Sequence, residues 1–532
     1  MIWTEMLSLN EITQISRNSI AFLFELIYNR IAMTTVKEKK IRKEKKEIDM
    51  VNGPLMGKII IFCVPLILSS VLQLLFNAAD VVVVGQFAGK QSLAAVGSTG
   101  SLINLITNLF IGFSIGTNVV MARAIGANNP EKASRTTHTS MLLAFVSGLI
   151  VGVIGFFASK GMLELMDSPE NVIDKAALYL KIYFLGSPAS LVYNFGASVL
   201  RAKGDTRRPL YFLVIAGVLN ALLNLFFVIV CKMDVAGVAL ATIISQLVSA
   251  VLVVICLIRE TDYCKLKWKQ LKFHAEEIKD IVKVGLPAGI YGTLFSISNV
   301  IIQSAVNGFG DDVVAGNSTA TNLEGFVYVS MNAVYSAAIT FTGQNHGAGK
   351  YDRIKIILRD CLILVTAVGL VLGFSFWGLG RYLARCYSPD KEVIDYCMVR
   401  MRIIMPTYFL CGIMDVMMGM LRGMGYSTLP TINSFLGACM LRVVWIFTVF
   451  AADHSLPMLY VSYPISWFVT AIAHIVMFAI IFKKCRRRSE AANKAVADGI
   501  LADESVPITD GAVDNPQEEE IAVVAAEDMR EE

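Results

Sequence analysis

Between Lys58 and Lys90 the chain carries a single charge, Asp80, inside an otherwise apolar run. Apolar runs of about 20 residues or more recur along almost the whole length, separated by short polar turns. Backbone groups in lipid find no water to bond, so runs of this length predict helices; the strict alternation of a barrel strand is absent. The pattern predicts twelve spans, at 59–84, 93–119, 138–159, 177–199, 210–231, 235–258, 280–307, 314–343, 356–378, 395–420, 431–451 and 461–482.

The loops set an orientation. One set is basic: the run before the first span, "RAKGDTRR", "RETDYCKLKWKQLKFH", "GKYDRIK" and "KKCRRR". The other set, "GQFAGKQ", "CKMDVAG", "NGFGDD" and "AADHSLP", is poor in Lys and Arg. Basic loops stay on the cytoplasmic side, so both termini are expected in the cytoplasm and the protein in the plasma membrane. An even span count, which puts both termini on one side, is consistent with this.

Composition agrees. Of 532 residues, 55% are hydrophobic and 17% are Asp, Glu, Lys or Arg, against about 25% charged in soluble domains. The net charge of +4 is small. The basic runs lie beside spans, where they set topology, so no nucleic-acid partner is expected. The ten cysteines form no CxxC and no Cys/His cluster, and the five histidines are scattered, which argues against a metal centre. Cys231 and Cys386 fall near outer span ends, where a pairing would be sterically open. No HExxH, GxSxG or Walker motif is present and no filter-like loop repeats, so neither an enzyme nor a channel is indicated.

The ends differ from the rest. Residues 1–50 include the highly charged "KEKKIRKEKKE", and Met33 or Met50 is expected to be the biological start. Residues 485–532 are acidic and poor in large apolar side chains, and are expected to be disordered. Residues 259–279 link two halves, 51–258 and 280–484.

Those halves repeat. "LRAKGDTRRP" (Leu200–Pro209) returns as "LRGMGYSTLP" (Leu421–Pro430), and "AIGANNPEK" is echoed by "NHGAGKYDR". "SPENVIDK" returns as "SPDKEVIDY", "GST" as "NST", and Pro65 and Asn77 match Pro287 and Asn299. One order and nearly one spacing indicate a duplicated six-helix unit. Because six is even, both copies insert the same way up. The expected fold is therefore an all-α polytopic membrane protein, twelve helices in two six-helix lobes about a pseudo-twofold axis along the membrane normal.

This pattern resembles the multidrug and toxic compound extrusion (MATE) family over about residues 51–482. The resemblance rests on "NAADVVVVG", the paired "LRAKGDTRRP" and "LRGMGYSTLP", and "GQNHGAG" (Gly343–Gly349). It implies a monomeric antiporter that uses H+ or Na+ and no cofactor, and expels amphipathic, often cationic, drugs from between its lobes. Asp80 matches the first-helix aspartate implicated in that family's cation coupling.

The residues themselves support a role for Asp80. Ser69, Gln73, Asn77 and Asp80 share one helix face, and a polar stripe on a spanning helix points at protein or water. Against this, Asp80 lies about 33 Å along a straight helix from Lys58, far enough to be merely solvated at the outer end. Asn220 and Asn224, at i and i+4 on the fifth span, are placed to face it; interhelical hydrogen bonding alone explains them equally well. Archaeal proton-coupled members carry an aspartate at the place of Asn224, and the NorM-like branch a glutamate in its seventh helix, where this chain reads "YGTLFSISNV". The coupling ion, with sodium at Asp80 as one candidate, is left open.

Two acids lie in second-half spans. Glu324 stands where the first half has Asn104, and Asp415 where it has Asn194. Both are candidates for a second ion site or for recognising a drug cation, and Asn299 joins them as a substrate-binding candidate. For Asp415 a salt bridge towards Arg422 accounts for the residue as well. Arg201 and Arg422 read as anchors of helix ends at the inner surface. The alternative function is a flippase, or an exporter of a lipid-linked or specific metabolite.

Overall fold

The computed structural model describes residues 47–164, 166 and 170–497. Most of the N-terminal extension and the end of the tail lie outside the described residues. No strand occurs among them.

The first half runs through α1 (Met56–Phe87), α2 (Gly89–Gly126) and α3 (Pro130–Glu164). The fourth span is broken: α4 (Glu170–Leu185) and α5 (Ser187–Ala202) meet at Gly186, just ahead of Pro188. Proline has no N–H to continue a helical ladder, so the break falls there. Next come α6 (Arg207–Leu225), a π-helical turn at Phe226–Val230, and α7 (Asp234–Ile258).

The second half copies this order with α8 (Ala275–Asn307), α9 (Asp311–Gly347) and α10 (Tyr351–Arg385). Its fourth span is also broken: α11 (Lys391–Thr407) and α12 (Phe409–Gly423) bend by 47° beside Pro406. The next span is α13 (Thr428–Ser434), a π-helical stretch to Met440, α14 (Leu441–Trp445) and a second π-helical stretch to Phe450. Last comes α15 (Leu456–Ala497). Among the described residues nine helices are long and apolar enough to cross a membrane, ten with the bent pair. Residues 485–497, expected to be disordered, instead continue α15 as helix. Good helix formers and an Arg486–Glu490 pair at i, i+4 explain the extension.

The repeat is written in the backbone. Left-handed φ angles occur at Gly89 and Gly310, Asn128 and Gly349, and Gly204 and Gly425, each pair 221 residues apart. In the "LRxxG" loops the hydrogen bonds match too. Gly204 N–H donates to Arg201 O at 2.9 Å and Asp205 N–H to Leu200 O at 2.9 Å; Gly425 and Tyr426 repeat this to Arg422 and Leu421 at 2.8 and 3.0 Å. The recurring motif is thus a helix C-cap, and its glycine is there because side chains disfavour that φ.

The lobes meet mainly through α2 and α8, the most extensive helix pair among the described residues, and through α9 against α1 and α2. The close approaches lie in the half of α2 nearest the basic loops. A Cβ on Gly112 would stand 2.2 Å from Gly289 N, and one on Gly116 2.3 Å from Ile281 O. A Cβ on Gly126 would stand 1.9 Å from Gln344 O. Gly97 and Gly100, towards the other end of α2, have nothing within 4 Å. The first half of α1 packs into the second lobe, where Ile59, Phe62, Cys63 and Leu66 join its core; Val84 joins the core of the first.

A short strap crosses the same closed end. Asn345 and Arg353 donate to Met50 O at 3.0 and 3.4 Å, and Arg353 donates to Gly53 O at 3.0 Å. Glu47 reaches back to Lys203 of the other lobe at 2.7 Å.

Candidate functional site

In the first lobe, α1, α6 and α7 converge. Asn224 Nδ2 donates to the Asp80 carboxylate and to Asn220 Oδ1 at 3.3 Å; Asn220 Nδ2 in turn donates to Thr242 Oγ1 at 3.4 Å. Asn224 and Asn220 are only 1% and 6% exposed, so this chain is internal to the lobe. One atom is left over: Asn224 Oδ1 is buried without a partner among the described residues. A carboxylate beside an orphaned carbonyl oxygen is an all-oxygen donor set, which suits a hard cation or a shared proton. Tyr179 of α4 lies near enough to feel the Asp80 charge, and it stacks on Tyr183 at 6.2 Å.

The rest of the stripe is not in this cluster. Gln73 and Asn77 are exposed, and Ser69 Oγ donates to Pro65 O at 2.7 Å in its own helix. Helical spacing alone placed these residues together; the turn of α1 leaves only Asp80 facing α6. Thr242 and Tyr179 were missed because a lone Thr or Tyr on an apolar helix is unremarkable in sequence.

In the second lobe, Glu324 is not a free acid. Arg400 of α11 holds it, Nε to Oε1 at 2.7 Å and Nη2 to Oε2 at 2.7 Å, and Arg400 Nη1 donates to Asn317 Oδ1 at 2.9 Å. Tyr460 OH also donates to Asn317 Oδ1, at 3.2 Å. The Arg400 guanidinium lies over the Tyr460 and Tyr463 rings. With every partner supplied from the same lobe, the pair is a structural clamp joining α9, α11 and α15. Asp415 of α12 is 6% exposed, forms no ion pair among the described residues, and sits close enough to Tyr291, Tyr328 and Arg422 for their charges to interact. Asn299 is exposed and joins neither acid. Arg422, expected at the inner surface, is 2% exposed; it bonds Tyr335 OH and donates to Thr431 Oγ1 at 3.3 Å.

Cys231 and Cys386 are both free and exposed. One acidic trio among the described residues, Glu47, Glu260 and Asp262, is close enough to bind a metal, yet the Lys203 ammonium stands among all three carboxylates. It occupies the place an ion would take. Burial pushes the Glu260 carboxyl up, but the Arg208 and Lys203 charges outweigh it and hold it down to about 2.

The structure thus holds two duplicated helical lobes that approach closely at one end, each with charged groups inside it. The MatE family model matches twice, at residues 65–226 and 287–448, one copy to each lobe. The chain belongs to the MATE family of multidrug efflux transporters. It is 27% identical over 435 residues to "Probable multidrug resistance protein YoeA" of Bacillus subtilis (strain 168), covering 80% of this chain and 93% of that protein. It is 24% identical over 380 residues to a "FAD transporter" of Shewanella oneidensis, covering 69% and 82%. Its fold matches the outward-facing conformation of a multidrug resistance MATE family transporter with a TM-score of 0.78 at 21% identity, covering 83% of this chain and 99% of that one.

Proposed function

We propose that the protein is a cation-coupled antiporter of the plasma membrane that exports amphipathic, often cationic, drugs, with Asp80 as the coupling group. The carrying observation is the Asp80–Asn224–Asn220–Thr242 chain with its orphaned Asn224 oxygen. A half-buried carboxylate whose neighbour offers an unused acceptor gains from a proton or a sodium ion, and loading it changes which lobe arrangement is favoured. Basic loops at the closed end support a cytoplasmic placement of that end and of both termini, and hence an outward-open state. With Glu324 clamped by Arg400, recognition of a drug cation in the second lobe falls to Asp415. The exposure of Gln73, Asn77 and Asn299 fits a cleft wall better than the ion site.

The test is ethidium counterflow in proteoliposomes under an imposed pH or sodium gradient, for the native chain and Asp80→Asn. Transport driven by one gradient and reduced to background in Asp80→Asn is expected. Undiminished coupling in the variant removes Asp80 from the mechanism. The alternative, export of one particular metabolite, is favoured by the likeness to a FAD transporter; it would show as no ethidium movement under either gradient.

A further inference from the structure

Each lobe holds one charge where its first, fifth and sixth spans meet, and the two charges differ in sign. In the first lobe a carboxylate, Asp80, sits where the first, fifth and sixth spans meet. In the second lobe a guanidinium, Arg442 on α14, sits where the seventh, eleventh and twelfth spans meet. Arg442 is 0% exposed. Its Nε donates to Ser466 Oγ at 2.8 Å, while Nη1 and Nη2 have no partner among the described residues. The Tyr463 ring covers it at 4.3 Å, with Phe295 and Trp467 each at 5.7 Å. Trp467 Nε1 is likewise buried without a partner.

All of these orphaned groups are N–H donors. A buried cation keeps its charge only where an anion or good acceptors compensate it, and aromatic faces compensate it in part. Among the described residues no carboxylate forms an ion pair with Arg442: Glu324 is taken by Arg400, and Asp415 lies towards Arg422. The missing partner is therefore an acceptor, negatively charged and next to aromatic surface. The backbone around Arg442 is irregular: α14 is flanked on both sides by π-helical stretches, a feature common at functional sites.

We infer that the second lobe binds an amphipathic organic anion, its carboxylate or phosphate held by Arg442 Nη1 and Nη2 and Trp467 Nε1, its apolar or aromatic body against Phe295 and Tyr463. This rests on the lobe architecture and not on the role given to Asp80. It extends the substrate range to molecules that the acidic residues alone would repel.

The test is equilibrium binding to the full chain in nanodiscs with FMN and riboflavin, which share one ring system and differ by a phosphate. FMN is expected to bind at least tenfold more tightly, and Arg442→Gln to abolish that difference while leaving riboflavin unchanged. Should Arg442→Gln fail to fold, Trp467→Phe keeps the ring and removes the N–H, and is expected to weaken FMN several-fold without moving riboflavin. Equal affinity for both flavins, or an FMN preference that survives in the variants, overturns the inference. So does displacement of FMN by inorganic phosphate at FMN's own concentration. So does an FMN preference seen only without phosphatidylglycerol in the disc, because a lipid headgroup would then be the occupant. Failure of ethidium counterflow leaves this result untouched, since no gradient and no cation enters it.

Discussion

Arg400 grips Glu324 through two parallel hydrogen bonds of 2.7 Å, both residues buried inside one lobe. Removing one partner strands the other. Arg400→Ala is expected to cost about 3–5 kcal/mol, and Arg400→Leu combined with Glu324→Leu clearly less, because no lone charge is then left in the interior. Thermal unfolding of the two variants in one detergent at pH 7 compares them; equal losses would mean that the clamp acts through packing alone.

Asn224→Leu deletes the donor that holds Asp80 while keeping the carboxylate. A hydrogen bond to a charged group is worth about 1.5–3 kcal/mol, so coupled transport is expected to fall about tenfold or more, though not to the background of Asp80→Asn. Initial rates in the same proteoliposome assay rank the two.

Gly126→Ala puts a methyl group 1.9 Å from the Gln344 carbonyl oxygen. The closed end must then part. A cysteine placed at Ala122, which is 0% exposed, in a chain stripped of its ten native cysteines, is expected to react with an impermeant maleimide from that side only when Gly126→Ala is present.

Glu260 provides the pH dependence. Its folded carboxyl titrates at about 2 against an ordinary 4.5, so the carboxylate stabilises the fold fully above about pH 4.5 and loses that contribution as pH falls towards 2. Glu260→Gln is expected to unfold at a lower temperature at pH 7, and to show a flatter decline between pH 4.5 and pH 2, read by differential scanning fluorimetry.

Much of the architecture was legible because its causes are local. Apolar run length marks each span, and the echo of "LRAKG" in "LRGMG" marks a helix cap that has to be built twice. The breaks at Gly186 and Tyr408 were read as continuous spans, although Pro188 and Pro406 stood beside them. At the sites, partners come from other helices, and spacing along one helix is silent about those. Asp80 and Asn224 were found because polar side chains in apolar runs are anomalous. Arg400 and Arg442 are equally anomalous, in "YCMVRMR" and "ACMLRVVWIF", and weighing cations alongside acids would have found both. Gln73 and Asn77 were grouped with Asp80 by helical phase and Asn299 was singled out as the repeat counterpart of Asn77; all three are exposed, unlike Asn224 and Asp415.

Where Gly112 and Gly116 of α2 meet Gly285 and Gly289 of α8, the two lobes touch peptide plane to peptide plane. Beside these glycines the side chains of Val119, Val284, Tyr335 and Ile339 pack together across the seam. The contact at the glycines is backbone against backbone, with that apolar cluster at its side. In the antiporter proposed above, such a seam would let one lobe turn against the other with little side-chain rearrangement at the glycines, and the strap from Glu47 to Gly53 would limit how far.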